Sequence, residues 1–185
     1  MYDFDKTLCT TDMQNYDFMK NLAIAPEEFW KEASMQTKRY AMDKILSYML
    51  LMIQKSKEKG YPITESYLTS LGKSVLFYRG VQTWFDRINA YGASLGVTVE
   101  HYIISSGLKK IIEGTPIAKY FKKIYACEYI YDEQTKEAIW PAMAINYTQK
   151  TQYIFRISKG TLDVTDEEKL NMETPDQQRA IQYRN

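Results

Sequence analysis

Apolar residues recur at three-to-four spacing through much of the first half of the chain. Between Pro26 and Lys59, Ala41, Ile45, Met49, Met52 and Ile53 fall on one stripe, which predicts an amphipathic helix over 26–59. Pro26 suits a first helical position. Glu27 and Glu28 follow in the first turn, where the helix dipole favours acids. Gly60-Tyr61-Pro62 interrupts the pattern, and a further helix is predicted from Thr64 to Gly72. Residues 12–75 therefore read as a helical unit.

After Arg79-Gly80 the spacing changes. Val81–Tyr91 predicts a helix with Val81, Trp84, Phe85 and Ile88 on one face. Val97–Ile104 is β-branched and aromatic and predicts a strand that ends in Ser105-Ser106-Gly107. Leu108–Glu113 reads as a short helix and Lys123–Tyr131 as a strand. A hairpin is expected within 127–145, turning at Asp132–Thr135. Thr148–Lys159 predicts a helix closed by Gly160. Strands alternating with helices imply an α/β fold with βαβ units and a Rossmann-like parallel sheet. From residue 161 onward the chain carries Asp163, Asp166, Glu167, Glu168, Glu173 and Asp176 with few apolar residues, which predicts loop or local disorder.

Composition narrows the functional classes. With 185 residues, 45% hydrophobic and 25% charged, the chain fits one soluble domain with room for a core. Lys and Arg number 24 against 23 Asp and Glu, so no electrostatic argument favours nucleic acid or an anionic membrane. The stretch 38–60 is locally basic, which reads either as a solvated helix face or as an attractor of a phosphorylated ligand. Cys9 and Cys127 make neither a disulfide framework nor a zinc site and fit a reducing, cytoplasmic compartment. The longest apolar run, Tyr48–Ile53, is too short to span a bilayer, and the N-terminus has neither a basic region nor an apolar signal core.

Three elements carry candidate chemistry. In Asp3-Phe4-Asp5-Lys6-Thr7, two carboxylates flank one residue at the expected carboxyl end of a strand, where open α/β sheets bind ligands. One can attack an electrophile while the other moves a proton. Together they offer hard oxygen donors to Mg²⁺. The plainer reading is a turn whose aspartates cap the next segment. Ile103-Ile104-Ser105-Ser106-Gly107 joins a strand to a helix and offers backbone N–H groups and a hydroxyl to an anion. Ser105 as an ordinary helix cap reads equally well. Lys150 opens a helix against its dipole, either by accident or for function.

In this order along the chain, the carboxylate pair, the strand-end serine and the helix-opening lysine resemble the haloacid dehalogenase superfamily. Asp3 and Asp5 match its first motif, Ser105 its second and Lys150 its third. The runs IISSGL and IYACEY, with the Tyr120-Phe121 step, look like the phosphoserine phosphatase branch. The resemblance implies a Rossmann-like core from 1–11 and 76–185, with 12–75 inserted as a small helical cap. It implies a Mg²⁺-dependent phosphatase acting on a small phosphorylated metabolite. Asp3 would be the nucleophile and Asp5 the general acid and base, with a carboxylate of Asp3 and the backbone carbonyl of Asp5 as Mg²⁺ ligands. Ser105, Ser106, Gly107 and Lys150 would hold the phosphate. The superfamily's fourth motif, an acidic pair after a further strand, is not found. Gly160, Asp163 and Asp166 have the wrong spacing, and only Met1 and Tyr2 precede Asp3. The expectation is therefore a chain cut from a longer enzyme. The alternative is a degenerate relative that binds a phosphorylated ligand or partner without turnover. A phosphotransferase or mutase is a weaker third reading.

Other candidates read as structural. His101 has no companion ligands in sequence. Phe18, Phe29, Trp30, Tyr40 and Tyr48 fit core packing better than substrate contact. Cys9 has no base partner and is not a nucleophile candidate.

Overall fold

A computed structural model describes residues 1–172. The first half is helical: a 3₁₀ turn at Met13–Asn15, then α1 (Asp17–Asn21), α2 (Pro26–Tyr40), α3 (Lys44–Glu58) and α4 (Glu65–Leu71). The single helix expected over 26–59 is in fact two. Ala41 adopts a left-handed backbone, φ 47°, that closes α2. Asp43 then caps α3, its Oδ1 accepting from the N–H groups of Ile45 and Leu46. Neither Gly nor Pro marks this break, and the apolar stripe continues across it. Helix α3 buries Tyr48, Met49, Leu51, Met52 and Ile53. Its buried Ser47 donates to the Ala33 carbonyl of α2 at 2.8 Å, tying the two helices together.

The second half runs α5 (Val81–Ser94), β1 (His101–Leu108), α6 (Lys109–Glu113), β2 (Phe121–Tyr131), β3 (Ala138–Met143), α7 (Tyr147–Lys159) and α8 (Glu167–Asn171). Strands β1 and β2 are parallel, as a βαβ crossover through α6 requires. Strand β3 returns antiparallel through a turn in which the Asp132 carboxylate accepts from the N–H groups of Gln134 and Thr135. The sheet, ordered β1-β2-β3, is thus mixed and not purely parallel among the described residues. Tyr2 adds the N-terminal segment beside β1. It donates to the Tyr102 carbonyl and accepts from Ile104 N–H, each at 2.9 Å, in parallel sense.

Strand β1 is displaced from its expected position. Val97 and Glu100 are exposed, and pairing begins only at His101, opposite Phe121. The β-branched character of 97–100 therefore precedes the strand. On α5, Phe85 alone of the expected apolar face is buried; Trp84 is exposed and its indole N–H donates to the Tyr2 hydroxyl at 3.0 Å. Asp166 caps a one-turn helix, α8, where loop was expected. Glu173 and Asp176 lie outside the described residues.

One hydrophobic cluster joins the helical half to the sheet, with Phe18, Phe29, Met49 and Met52 on one side and Ile103, Leu108, Ile111 and Tyr125 on the other. The two halves also meet where α4 passes the end of α6. A Cβ on Gly114 would sit 1.8 Å from the Thr69 carbonyl oxygen, so the approach needs glycine.

Candidate functional site

Pairing of Tyr2 with β1 fixes where the next three residues point. Phe4 is fully buried, while Asp3 and Asp5 both line a cavity of about 530 Å³. Residues two apart on extended backbone share a face, so burial of the middle one presents the two carboxylates together. The chain then turns sharply. The Phe4 carbonyl accepts from the N–H groups of Thr7, Leu8 and Cys9, and Lys6 takes φ 57°.

Lys150 arrives from the other end of the sequence. Asn146 and Gln149 form a reciprocal capping box that starts α7 and sets Lys150 in its first turn. Its Nζ stands 2.8 Å from Asp3 Oδ2. The other Asp3 oxygen accepts from Phe4 N–H at 2.8 Å. A cation at a helix N-terminus is opposed by the dipole, and the Asp3 carboxylate supplies the compensating charge.

Asp5 is in a different state. Burial, then the nearby carboxylates of Asp12 and Asp3, push its pKa up to about 7, against hydrogen bonds from Met13 N–H and the Cys9 thiol that pull it down. The pair is therefore asymmetric: Asp3 is held by an ammonium, and Asp5 is poised to carry a proton near neutral pH. Burial, with Asp5 nearby, also raises the Cys9 thiol to about 12, which leaves it unreactive as expected.

The Ser105–Gly107 junction is a bulge. Between Ile104 and Leu108, β1 advances four residues while its partners on β2, Tyr125 and Cys127, are two apart. Bulges re-aim side chains beside functional sites. Here the bulge brings Ser106 to the cavity wall. Ser105 is sealed behind it, 0% exposed, and its Oγ accepts from Gly107 N–H at 3.0 Å. Gly107 is needed for close approach. A Cβ there would fall 2.8 Å from Asp5 Oδ2 and 2.2 Å from the Met13 methyl. Thus Asp3, Asp5, Ser106 and Lys150 share the cavity, whereas Ser105 and Gly107 support its wall.

The rest of the lining comes from the helical half, and of its residues Asp12, Gln14 and Asp43 escaped the sequence reading. Asp12, Gln14, Trp30, Asp43 and Tyr48 belong to it. Tyr48, buried on α3, donates to the Ser106 carbonyl at 2.7 Å. Asp43 Oδ2 accepts from the Asn146 side-chain amide at 3.3 Å, linking the caps of α3 and α7 across the mouth. Among the aromatic candidates, Phe18 and Phe29 are fully buried core residues, Tyr40 is exposed, and Trp30 and Tyr48 reach the cavity. His101 is buried between the Tyr2 hydroxyl and the Asn89 amide oxygen, consistent with a structural part. A wider groove of about 910 Å³ lies between α4 and the β2–β3 turn, but it contains none of the Asp3, Asp5 and Lys150 cluster.

A Mg²⁺ ion needs hard oxygen donors and commonly takes only one or two carboxylates together with a substrate phosphate and waters. Asp3 and Asp5 meet that requirement. Among the described residues, no group of three or more acidic, histidine or cysteine side chains is arranged to hold a metal. The donors therefore suit an ion shared with a phosphate, not one caged by protein. No helix of the described residues is long and apolar enough to cross a membrane.

No family model matches the chain. A protein of Borreliella burgdorferi, described only as uncharacterized, is 28% identical over 210 residues, covering 100% of this chain and 71% of that protein. Among solved structures, a HAD family hydrolase from Salmonella enterica subsp. enterica serovar Typhi is similar at TM-score 0.59 and 14% identity, over 84% of this chain. The match covers 49% of that hydrolase, so the chain spans about half its length. At this identity the likeness concerns architecture: the fold is haloacid dehalogenase-like, an α/β core carrying a largely helical segment.

Proposed function

We propose that the protein belongs to a phosphohydrolase that cleaves a small phosphomonoester through an aspartyl-phosphate. The reading rests on one observation: the Asp3 carboxylate and Lys150 ammonium, 2.8 Å apart, share a cavity with a second, buried carboxyl. Phosphoryl transfer asks chiefly for in-line positioning and neutralisation of spread negative charge. An Asp3 oxygen forms a bond to phosphorus as the ester P–O bond breaks. Protonated Asp5 gives its proton to the departing oxygen. The Asp5 carboxylate then takes a proton from water, whose oxygen attacks phosphorus and frees phosphate from Asp3. Lys150 balances the charge of nucleophile and phosphoryl group. Ser106 contacts the phosphate at the bulge, which Ser105 holds in shape. A carboxylate oxygen of Asp3 and the backbone carbonyl of Asp5 would hold Mg²⁺, which would supply further neutralisation of phosphoryl charge.

In this reading residues 12–75 act as a cap of the phosphoserine phosphatase type that keeps water from the site and meets the leaving group. The haloacid dehalogenase-like fold supports it at the level of architecture. The test is phosphate release from p-nitrophenyl phosphate by the full chain with and without Mg²⁺. Release that requires Mg²⁺ and falls at least about 10³-fold in Asp3→Asn is the expected result. Equal turnover by the variant would refute the nucleophile assignment. The second reading, a binder without turnover, is favoured by the lack of a three-acid metal group among the described residues. Saturable phosphate binding with no release from the wild type would select it.

A further inference from the structure

Most polar groups that the helical half turns toward the cavity are already engaged within the protein. The Asp43 carboxylate accepts from the N–H groups of Ile45 and Leu46 and from the Asn146 amide. The Tyr48 hydroxyl donates to the Ser106 carbonyl, and Asp12 is held by Lys6 Nζ at 2.6 Å. Ser34 Oγ donates to the Trp30 carbonyl at 2.8 Å. The Trp30 indole N–H, the one polar atom of that side chain, donates to Asn15 Oδ1 at 2.9 Å. Phe29 and Tyr48 pack on the indole in T-shaped contacts, with ring centroids 5.2 and 5.7 Å away, and fix its plane. What the cavity offers a ligand beyond Asp3, Asp5, Ser106 and Lys150 is therefore mainly carbon. Trp30 and Ile45 line it and are partly exposed, and Tyr147, 83% exposed, lines it from the first turn of α7. Lys44, exposed on the same lining, adds an ammonium.

We infer that the substrate is a small aromatic phosphomonoester, whose ring packs on Trp30 and Ile45 with Tyr147 outermost. The inference rests on the phosphatase reading for the place of the phosphate, at Lys150 and Ser106. A polyol would bring hydroxyls to a lining whose hydrogen-bonding groups are used up, so they would lose water without gaining partners. A cationic alcohol would meet the Lys44 ammonium. A flat ring instead buries apolar surface and gains contact with a second ring held in a fixed plane. The cavity, about 530 Å³, falls within the range of pockets that enclose ligands of this kind.

The test compares phenylphosphonate with 2-hydroxyethylphosphonate, whose carbon–phosphorus bonds resist hydrolysis, so that binding is read without turnover. Calorimetry in Mg²⁺ measures both on wild type and on Trp30→Leu, which keeps an apolar side chain and removes the ring. Wild type is expected to bind phenylphosphonate about tenfold or more tightly than 2-hydroxyethylphosphonate. In Trp30→Leu most of that preference is expected to vanish, with the affinity for 2-hydroxyethylphosphonate unchanged. No preference in wild type overturns the inference. So does a Trp30→Leu variant that weakens both ligands alike or keeps the preference, since the residue would then serve only the scaffold. Should Trp30→Leu fail to fold, Tyr147→Ala, at a position 83% exposed, must lower the preference; an unchanged preference there is equally contrary. Failure of wild type to bind either phosphonate also overturns it. A wild type that shows the preference but releases no phosphate from p-nitrophenyl phosphate refutes the phosphatase reading and leaves the recognition of the ring standing by itself.

Discussion

The two walls of the cavity are built differently. The wall that carries Asp3, Asp5, Ser106 and Lys150 is made at backbone junctions: the turn after the Tyr2 bridge, a bulge in β1 and the first turn of α7. The wall that carries Gln14, Trp30, Asp43 and Tyr48 is made by helices that must first pack against the sheet. Junctions have local signatures, so their chemistry follows from residues close together in sequence. Packing has none, and the side chains it delivers depend on contacts such as the Tyr48 hydroxyl on the Ser106 carbonyl, 58 residues away. In the proposed reaction the first wall would carry the chemistry and the second would tell substrates apart.

Substitutions can break this division. The largest effect after loss of Asp3 is expected at Lys150. Lys150→Met should lower kcat by about 10²–10³-fold, the scale seen when one preorganised charge is removed. Asp3 is 45% exposed, so the ion pair itself adds at most about 1 kcal/mol to stability and the variant should melt close to wild type. A large loss of stability with little change in kcat would assign Lys150 to the scaffold.

Next in size is the pH dependence of Asp5. Its folded-state pKa, about 7, lies above the ordinary aspartate value of 3.8. Its contribution to stability is therefore full below about pH 4 and is lost as pH rises to about 7, where the buried carboxyl must ionise. Asp5→Asn, which still accepts from Met13 N–H, removes that loss. Urea melts from pH 4 to 8 should show the variant gaining on wild type by a few kcal/mol, with the gain complete above about pH 7. A difference constant with pH would contradict the raised pKa.

Gly107→Ala places a methyl against Asp5 and the Met13 side chain. Overpacking of this kind costs about 1–3 kcal/mol, and denaturant unfolding measures it. Since the strain falls on the proton-carrying acid, kcat should drop more than KM rises. The smallest effect belongs to Tyr48→Phe, which removes one hydrogen bond across the walls and should cost about 1 kcal/mol. A neutral result there would mean that this hydrogen bond contributes nothing to holding the walls together.

The same difference explains what could be read from the residues themselves. Helices α4 and α7, the β2–β3 hairpin and the α6 crossover follow from caps, turn residues and alternation. The break at Ala41 does not, because nothing about an alanine announces φ 47° and the apolar stripe runs through it. Asp43 ahead of an apolar stripe was a cap signal that the longer stripe concealed. The strand β1 begins late because pairing, not β-branched character, decides where a strand starts, and the partner's first residue is Phe121. In the site, Asp3 and Asp5 were legible from their spacing and Lys150 from its conflict with the helix dipole. The bulge that seals Ser105 and exposes Ser106 depends on the register with β2. Gln14 had no local signal at all, since only the packing of the helical half brings it to the cavity.

The central claim, that the Asp3 carboxylate takes the phosphoryl group, is tested most directly by acid-quenching the chain during turnover of ³²P-labelled p-nitrophenyl phosphate in Mg²⁺ and mapping the label. The account predicts hydroxylamine-labile label on the peptide containing Asp3, absent from Asp3→Asn and accumulating in Asp5→Asn if water attack slows more than phosphoryl transfer. Phosphate release with no label on that peptide, or label that persists in Asp3→Asn, would contradict it.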